Sequence, residues 1–310
     1  IYGVLLPMLP GRPLLWSGIF APLMWSGVIW ICLAIVSPAL DDHVQWVWFI
    51  GSQIAFGLVA GWVVTRTEPV KTMQTWSLVE PLWRHPDRKK WFGVAGGEMP
   101  GISSVLVDPR DADHITVGVS TGGVWSTRDG GETWAVINKG MVNEYMPPDQ
   151  QGDPIPQDIH QLSLCPAHPD VVWCQHHSAI FRSTDGGENW VMLDAAQPTG
   201  FGFAVQAHPT DPETAWFVPA EKDERRVPKD GKLVVSRTRD GGRSFDVLSS
   251  GLPQKHAYDL VYRHALAVDE TGERLAFGST SGGVWISEDA GDSWSALDAR
   301  LPPVAAVSFS

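Results

Sequence analysis

Cysteine is nearly absent from this chain of 310 residues, which holds only Cys32, Cys165 and Cys174. Three thiols, one of them in an apolar run, make no disulfide framework. Basic residues are scarce too, 23 against 35 acidic ones, for a net charge of −12. Sequence-independent nucleic-acid binding needs a basic footprint, so no nucleic-acid partner is expected. The imbalance is local: residues 1–72 carry three charges of each sign, and the remainder holds 20 basic and 32 acidic side chains. Within 14–36 and 46–64 there is no carboxylate and no histidine, so no proton or ion path is expected there. The first residue is Ile1 and not Met, which reads as a fragment or trimmed piece of a longer protein.

What fills those two stretches is apolar. Each would form a helix of roughly 30 Å, enough for a bilayer core. Two such runs, with no small-residue cleavage site after the first, argue against a signal peptide. Trp16, Trp46, Trp48 and Trp62 near the ends, and Gly57 and Gly61 within the second run, favour membrane spans over a buried globular hairpin. Pro22 kinks the first helix without forbidding it. Arg12 precedes the first run, Arg66 and Lys71 follow the second, and the loop 37–45 has Asp41 and Asp42 with no Lys or Arg. The positive-inside rule then puts both ends in the cytoplasm. The expectation is a multi-pass membrane protein, with two transmembrane helices in residues 1–66 and everything after them on the cytoplasmic side.

The rest of the chain is punctuated by one motif. Thr127, Asp129, Gly131 and Trp134 recur as Ser183, Asp185, Gly187 and Trp190, as Thr238, Asp240, Gly242 and Phe245, and as Ser287, Asp289, Gly291 and Trp294. All fit S/T-x-D-x-G-x-x-W/F, with starts 56, 55 and 49 residues apart. A period of about 50 residues means a propeller, a solenoid or an array. Each motif reads as a tight hairpin turn. The hydroxyl and carboxylate bond turn backbone, glycine takes a positive φ, and the aromatic is a buried anchor. Around each motif the sequence gives four short strands, the first ending near D-P or H-P, the third entering the motif and the fourth leaving it. That is the blade of a β-propeller. The expected fold is all-β, a partial β-propeller over 76–310 with blades at about 101–138, 159–194, 202–249 and 261–298, preceded by the α-helical hairpin.

The motif resembles the Asp-box, or BNR, repeat of sialidase-like and sortilin-like propellers. Further strings carry a second resemblance: E-P-L-W-R-H-P-D-R-K-K-W-F-G from Glu80, N-E-Y-M-P-P from Asn143, F-G-F-A-V from Phe201, E-R-R-V-P-K-D-G from Glu224 and H-A-Y-D-L-V-Y-R-H-A from His256. Together they resemble a bacterial family of WD40/YVTN/BNR-like propellers often labelled exo-α-sialidase or glycosyl hydrolase. The resemblance implies further blades at the N-terminal side. Residues 75–79 look like a lone fourth strand, while 69–74 lack the Ser, Asp and Gly of a box. A junction at 67–75 between a membrane protein and a propeller, genuine or chimeric, is therefore expected. Residues 1–72 resemble only bacterial multi-pass membrane proteins in general.

In a propeller the first strands line a central funnel. The residues expected there are Glu144, Tyr145, His160, Phe203, Arg226, His256, Tyr258, Arg263 and His264. They form the polar and aromatic inventory of a protein or glycan site. The alternative is that these groups only solvate loops and join blades. Sialidase chemistry fails on its own motif, because Phe181-Arg182-Ser183-Thr184 stands where the family's F/Y-R-I-P would be sought. General glycosidase chemistry needs two facing carboxylates. Glu144, Asp158, Asp223 and Asp259 are available, with Glu144 and Asp259 the first candidates. Cys165, His168, Cys174, His176 and His177 crowd within 13 residues. Yet small buried Cys on consecutive strands is common, and no metal or other cofactor is expected. The function expected is a membrane-anchored binding or scaffold module, with a glycoside hydrolase or a chimeric fragment as alternatives.

Overall fold

The computed structural model describes residues 21–36, 44–66, 77–93, 100–298 and 301–309. The chain divides into two units, 1–77 and 78–310. The first contains helices α1 (Ala21–Val36) and α2 (Trp46–Arg66), which pack against one another. Among the described residues no helix is long and apolar enough to cross a membrane. The described helices therefore do not show the expected transmembrane hairpin. The described part of the first run, α1, has 16 residues, about 24 Å of helix. α2 has 21 residues and includes Gly51, Ser52, Gln53 and Gly57 among its apolar side chains. Residues 14–20 of the first expected span, and the junction 67–75, lie outside the described residues.

Among its described residues the second unit is all-β apart from one turn of helix, α3 (Glu80–Trp83), and two short 3₁₀ turns. It holds four four-stranded antiparallel sheets, each a meander in sequence order. The first comprises β1 (Ile102–Asp108), β2 (Asp111–Val119), β3 (Gly123–Thr127) and β4 (Ala135–Val136). The second comprises β5 (Ile159–Cys165), β6 (His168–His176), β7 (Ile180–Ser183) and β8 (Val191–Met192). The third comprises β9 (Gly202–Ala207), β10 (Ala215–Pro219), β11 (Val235–Thr238) and β12 (Asp246–Leu248). The fourth comprises β13 (Leu266–Val268), β14 (Leu275–Gly278), β15 (Val284–Ser287) and β16 (Ser295–Ala296). The arrangement is consistent with a partial β-propeller, each sheet being one blade.

Two local expectations change. In the second blade Cys165-Pro166 occupies the turn, so His168-Pro169 opens β6 instead of closing β5. Residues 77–79 are not a strand; Leu78 and Val79 lead into α3, whose first turn carries Pro81. Leu82 and Trp91 from this segment pack on Val117, Val119 and Trp125, covering the outer side of the first blade.

Alternation of side chains along the strands builds a core between each pair of blades. On β6, Val172 and Cys174 face Val124 and Ile137 of the first blade, whereas Val171 and Trp173 face Val205 and Phe217 of the third. Trp216, Val218 and Val235 of the third blade meet Leu266, Phe277, Trp285 and Trp294 of the fourth. The first strands run side by side and are stitched by side chains. Leu162 N–H donates to Ser104 Oγ (2.8 Å), Val205 N–H to Gln161 Oε1 (2.9 Å), and Gln206 Nε2 to Leu266 O (3.0 Å). Arginines clasp the outer parts: Arg110 bridges Asp108 and Asp170, Arg182 reaches Glu213, and buried Arg237 reaches Asp292.

The four boxes share one geometry. In each, the glycine N–H donates to the Ser/Thr hydroxyl at 2.9 Å. The Asp Oδ1 accepts the backbone N–H four residues on, also at 2.9 Å. Its Oδ2 accepts the side chain of that same residue, Thr133, Asn189, Ser244 or Ser293, at 2.6–2.7 Å. The anchors then reach across blades: Trp190 Nε1 donates to Ile137 O, and Trp294 N–H to Ser250 O. Gly140 (φ 94°) and Gly251 (φ 80°) make room for this, since a Cβ there would lie 2.2 and 1.8 Å from the Trp190 and Trp294 carbonyl oxygens.

The Thr133 and Ser244 hydroxyl bonds lower the Asp129 and Asp240 carboxyls to about 2, and Asp185 and Asp289 move in the same direction through Asn189 and Ser293. A depressed carboxyl stabilises the fold above its ordinary value near 4 and loses that contribution as pH falls towards 2. Asp185→Ala is expected to cost about 2 kcal/mol at neutral pH, from three lost hydrogen bonds. Its cost should shrink as the pH drops from about 5 to 2, read as the shift in urea midpoint against the unaltered chain.

Candidate functional site

Three cavities open on the first-strand side of the blades. Two, of about 510 and 480 Å³, run along the strands themselves and share Gln206 and His264; the first also has Asp269, Glu270 and Arg274 at its wall, and the second is lined mainly by apolar groups. The third, of about 320 Å³, lies where the first strands begin and gathers a buried carboxylate, two imidazoles and two guanidinium groups. Gly101–Ser103 come from the start of β1, Asp158 and His160 from β5, Phe203 from β9, and Tyr262 and Arg263 from the approach to β13. Ser120 and His177, just after β2 and β6, and Arg226 from the loop between β10 and β11 complete it. Convergent polar groups, more than volume, mark a binding pocket.

Asp158 is buried at its base. Its Oδ1 accepts from Ser120 Oγ (2.8 Å) and from Thr121 N–H (3.2 Å). Thr121 donates from a left-handed conformation, φ 55°, that is unusual for a β-branched residue. Such strain collects at functional sites. Asp158 Oδ2 faces His177 Nδ1 at 3.3 Å and His160 Nε2 at 3.9 Å, and the two imidazole nitrogens are 3.0 Å apart. His160 Nδ1 donates to Gly202 O at 2.6 Å, because a carbonyl can only accept, and this leaves its Nε2 as the bare nitrogen. On its far side His177 Nε2 lies 3.6 Å from Asp223 Oδ2, and Asp223 in turn accepts from Arg226.

Aromatic rings frame the cluster. Phe203 stacks on His160 with centroids 4.4 Å apart, and the guanidinium carbons of Arg226 and Arg263 lie 5.5 and 5.6 Å from the Phe203 ring. Tyr145 meets His177 edge-on at 4.3 Å. Burial lowers His160 to about 4 and His176 to about 3, and lowers His177 as well. For Asp158 burial pushes the carboxyl up, but His160, Ser120 and His177 outweigh it and the group stays ionised. Around it, Ser103 Oγ and Arg263 Nε are buried without a protein partner.

No protein-family model matches the chain. A xyloglucanase from a Paenibacillus species is 30% identical over 122 residues, 34% of this chain and 12% of that protein. An ancestral GH74 enzyme is similar in structure at 16% identity, with a TM-score of 0.48 over 66% of this chain and 25% of that one. The GH74 xyloglucanase of Xanthomonas campestris gives 17% identity and 0.45 over 64% and 30%. YCF48 from Cyanidioschyzon merolae gives 16% and 0.43 over 64% and 56%. The chain thus spans a minor part of the xyloglucanase it matches in sequence.

Of the residues expected in a funnel, His160, Phe203, Arg226 and Arg263 line this pocket, and Tyr145 adjoins it through His177. His264 lines the other two cavities. Glu144, His256 and Tyr258 are exposed and line none of the three. Asp259 is also outside them and accepts from Ser279 and Ser281. Asp158 and Asp223 flank one imidazole, a pairing that spacing along the chain does not reveal. Tyr262 lies within the His256–Ala265 string that the sequence singles out, whereas Ser120 carried no signal. The crowded Cys/His run disperses: Cys174 lies in the core facing the first blade and Cys165 in the core facing the third, with His168 exposed.

Removing the Asp158 carboxylate would leave the Thr121 N–H and Ser120 hydroxyl unpaired in a buried site. Asp158→Ala is therefore expected to lower stability by about 3 kcal/mol. Asp158→Asn, whose amide oxygen can still accept both bonds, should cost less than half of that. Chemical denaturation of the two variants side by side checks the order.

Proposed function

We propose that the unit 78–310 is a glycan-binding module whose site is the pocket at the start of the first strands. The observation that supports it most directly is the pocket's lining. The half-exposed Tyr262 ring offers a stacking face beside the guanidinium groups of Arg226 and Arg263 and the unpartnered Ser103 hydroxyl. A polyhydroxylated ligand needs this mixture, an apolar ring face with convergent hydrogen-bonding groups. The likeness of part of the chain to a xyloglucanase favours a β-glucan ligand and supplies the first probe.

Hydrolysis is the second reading. It is favoured by that same relative and by Asp158 and Asp223 on opposite edges of His177. Binding is preferred because Asp158 is already committed to Ser120, Thr121 and His177, and no pair of free carboxylates faces the pocket. Isothermal titration with xyloglucan oligosaccharides is expected to show saturable binding that weakens about tenfold in Tyr262→Ala and in Arg226→Ala. Absence of binding to the unaltered chain would refute the glycan reading. Reducing-end release that disappears in Asp223→Asn would establish the hydrolase instead.

A location at the membrane, with this unit on the cytoplasmic side, is a separate proposal resting on the sequence of residues 14–36 and 46–64. Exposed Trp30, Ile31, Val47 and Trp48 on the two helices accord with a lipid-facing surface. Expressed in bacteria, the chain should stay in the membrane pellet through a carbonate wash, and its second unit should resist protease added outside intact spheroplasts. Release by carbonate would overturn the first part, and cleavage by external protease the second.

A further inference from the structure

We propose that Asp158, His160 and His177 form a binding site for one divalent transition-metal ion, with zinc the ion that fits best. The three side chains are all buried, and their ligand atoms lie within 4.8 Å of one another. His160 Nε2, His177 Nδ1 and Asp158 Oδ2 are separated by 3.0, 3.3 and 3.9 Å. Ligands on a tetrahedral zinc with bonds of about 2.0–2.1 Å sit roughly 3.3 Å from one another. The observed triangle brackets that value, so an ion can enter with small side-chain rotations and no backbone movement.

The surroundings are those of a ligand set and not of a chance cluster. Each ligating histidine in a metal site usually donates its other ring N–H to a carbonyl or carboxylate, which fixes the tautomer. His160 does so to Gly202 O at 2.6 Å, and His177 Nε2 faces Asp223 Oδ2 at 3.6 Å. Asp158 has one oxygen fixed by Ser120 and Thr121, which turns the other towards the two imidazoles. The three ligands come from two adjacent points of one blade, at the entry to β5 and the exit from β6, so the fold holds them without any ion. Two histidines and one carboxylate leave a fourth position open towards the 320 Å³ pocket, as in zinc sites that keep a water or a ligand atom. The site stands on these three side chains whatever the pocket's ligand is.

The bland alternative is a hydrogen-bonded Asp–His–His triad with no ion. The two differ in a direct measurement. The full chain, stripped with a chelator and dialysed, is titrated with Zn²⁺ in competition with a chromophoric chelator, and separately with Co²⁺ while its visible spectrum is recorded. The expected result is one ion per chain and the absorption of tetrahedral Co²⁺. His160→Gln and His177→Gln should each weaken Zn²⁺ binding by more than about 100-fold, and Asp223→Asn by about 10-fold, since its carboxylate faces His177 Nε2. Circular dichroism and urea midpoints show which variants stay folded; where a Gln variant does not, Asp158→Asn serves in its place. A folded unaltered chain that binds no stoichiometric Zn²⁺ overturns the proposal. So does binding that survives in folded His160→Gln and His177→Gln chains, since the ion would then sit elsewhere.

Discussion

The blades depend on the clasp between a Ser/Thr hydroxyl, an Asp carboxylate and the backbone of the turn that follows. The fourth strands are only two or three residues long, too short for their ladder bonds alone to fix where they lie. The aspartate supplies what the ladder lacks. It holds both the backbone and the side chain of Thr133, Asn189, Ser244 or Ser293, the residue immediately before each aromatic. The aromatic is thereby aimed inward before any contact with another blade is made. Trp190 and Trp294 then hydrogen-bond the preceding blade and fill the core against it. A turn of eight residues thus sets the spacing between sheets.

Because each inner sheet is packed on both faces, polar side chains find room mainly at the ends of strands and along the first strands. The first strands use theirs as stitches: Ser104, Gln161, Ser163 and Gln206 bond the backbone of the next blade. That consumes the polar groups of the strand middles. At the starts of the same strands His160 and Asp158 also join neighbouring blades, through Gly202 O, Ser120 and Thr121, and with Arg263 they line one cavity.

This logic also explains what was legible in the sequence. The box is a local device, with every partner within seven residues, so S/T-x-D-x-G-x-x-W/F reveals its hydrogen bonds, its glycine and its anchor directly. Even so, the polar residue before the aromatic passes as an x in that pattern, although it makes two of the bonds. Sixteen strands in four sheets follow from the repeat. The pocket does not, because Ser120, Asp158, His177, Arg226 and Arg263 come from five separate stretches across four blades and meet only once the blades are side by side. Proximity along the chain misled in the Cys165–His177 run, since strand alternation sends Cys165 and Cys174 to opposite faces of one sheet. The helices show a similar limit. An apolar run of residues fixes helical character, whereas crossing a bilayer needs length and undiluted apolarity together. The described helices lack that combination.

The cluster itself is costly. Burying a carboxylate and three imidazoles requires that each be paired, and burial alone is enough to hold the His160 and His176 rings neutral well below pH 6. Apolar side chains of similar size would pack the same space without that penalty. Interfaces elsewhere in these blades do use apolar side chains, as with Val172, Phe181 and Val205. The polar groups are also over-determined. Asp158 is fixed through two separate bonds, one of them from a strained Thr121, and His160 is held between Gly202 O and the Phe203 ring. Rigid, desolvated and paired groups beside an open cavity are poorly suited to merely joining blades, where the Arg clasps on the outer edge suffice. They are well suited to meeting something that enters from solvent with its geometry already set. At the mouth of the first strands, fixed polar groups and open volume thus coincide.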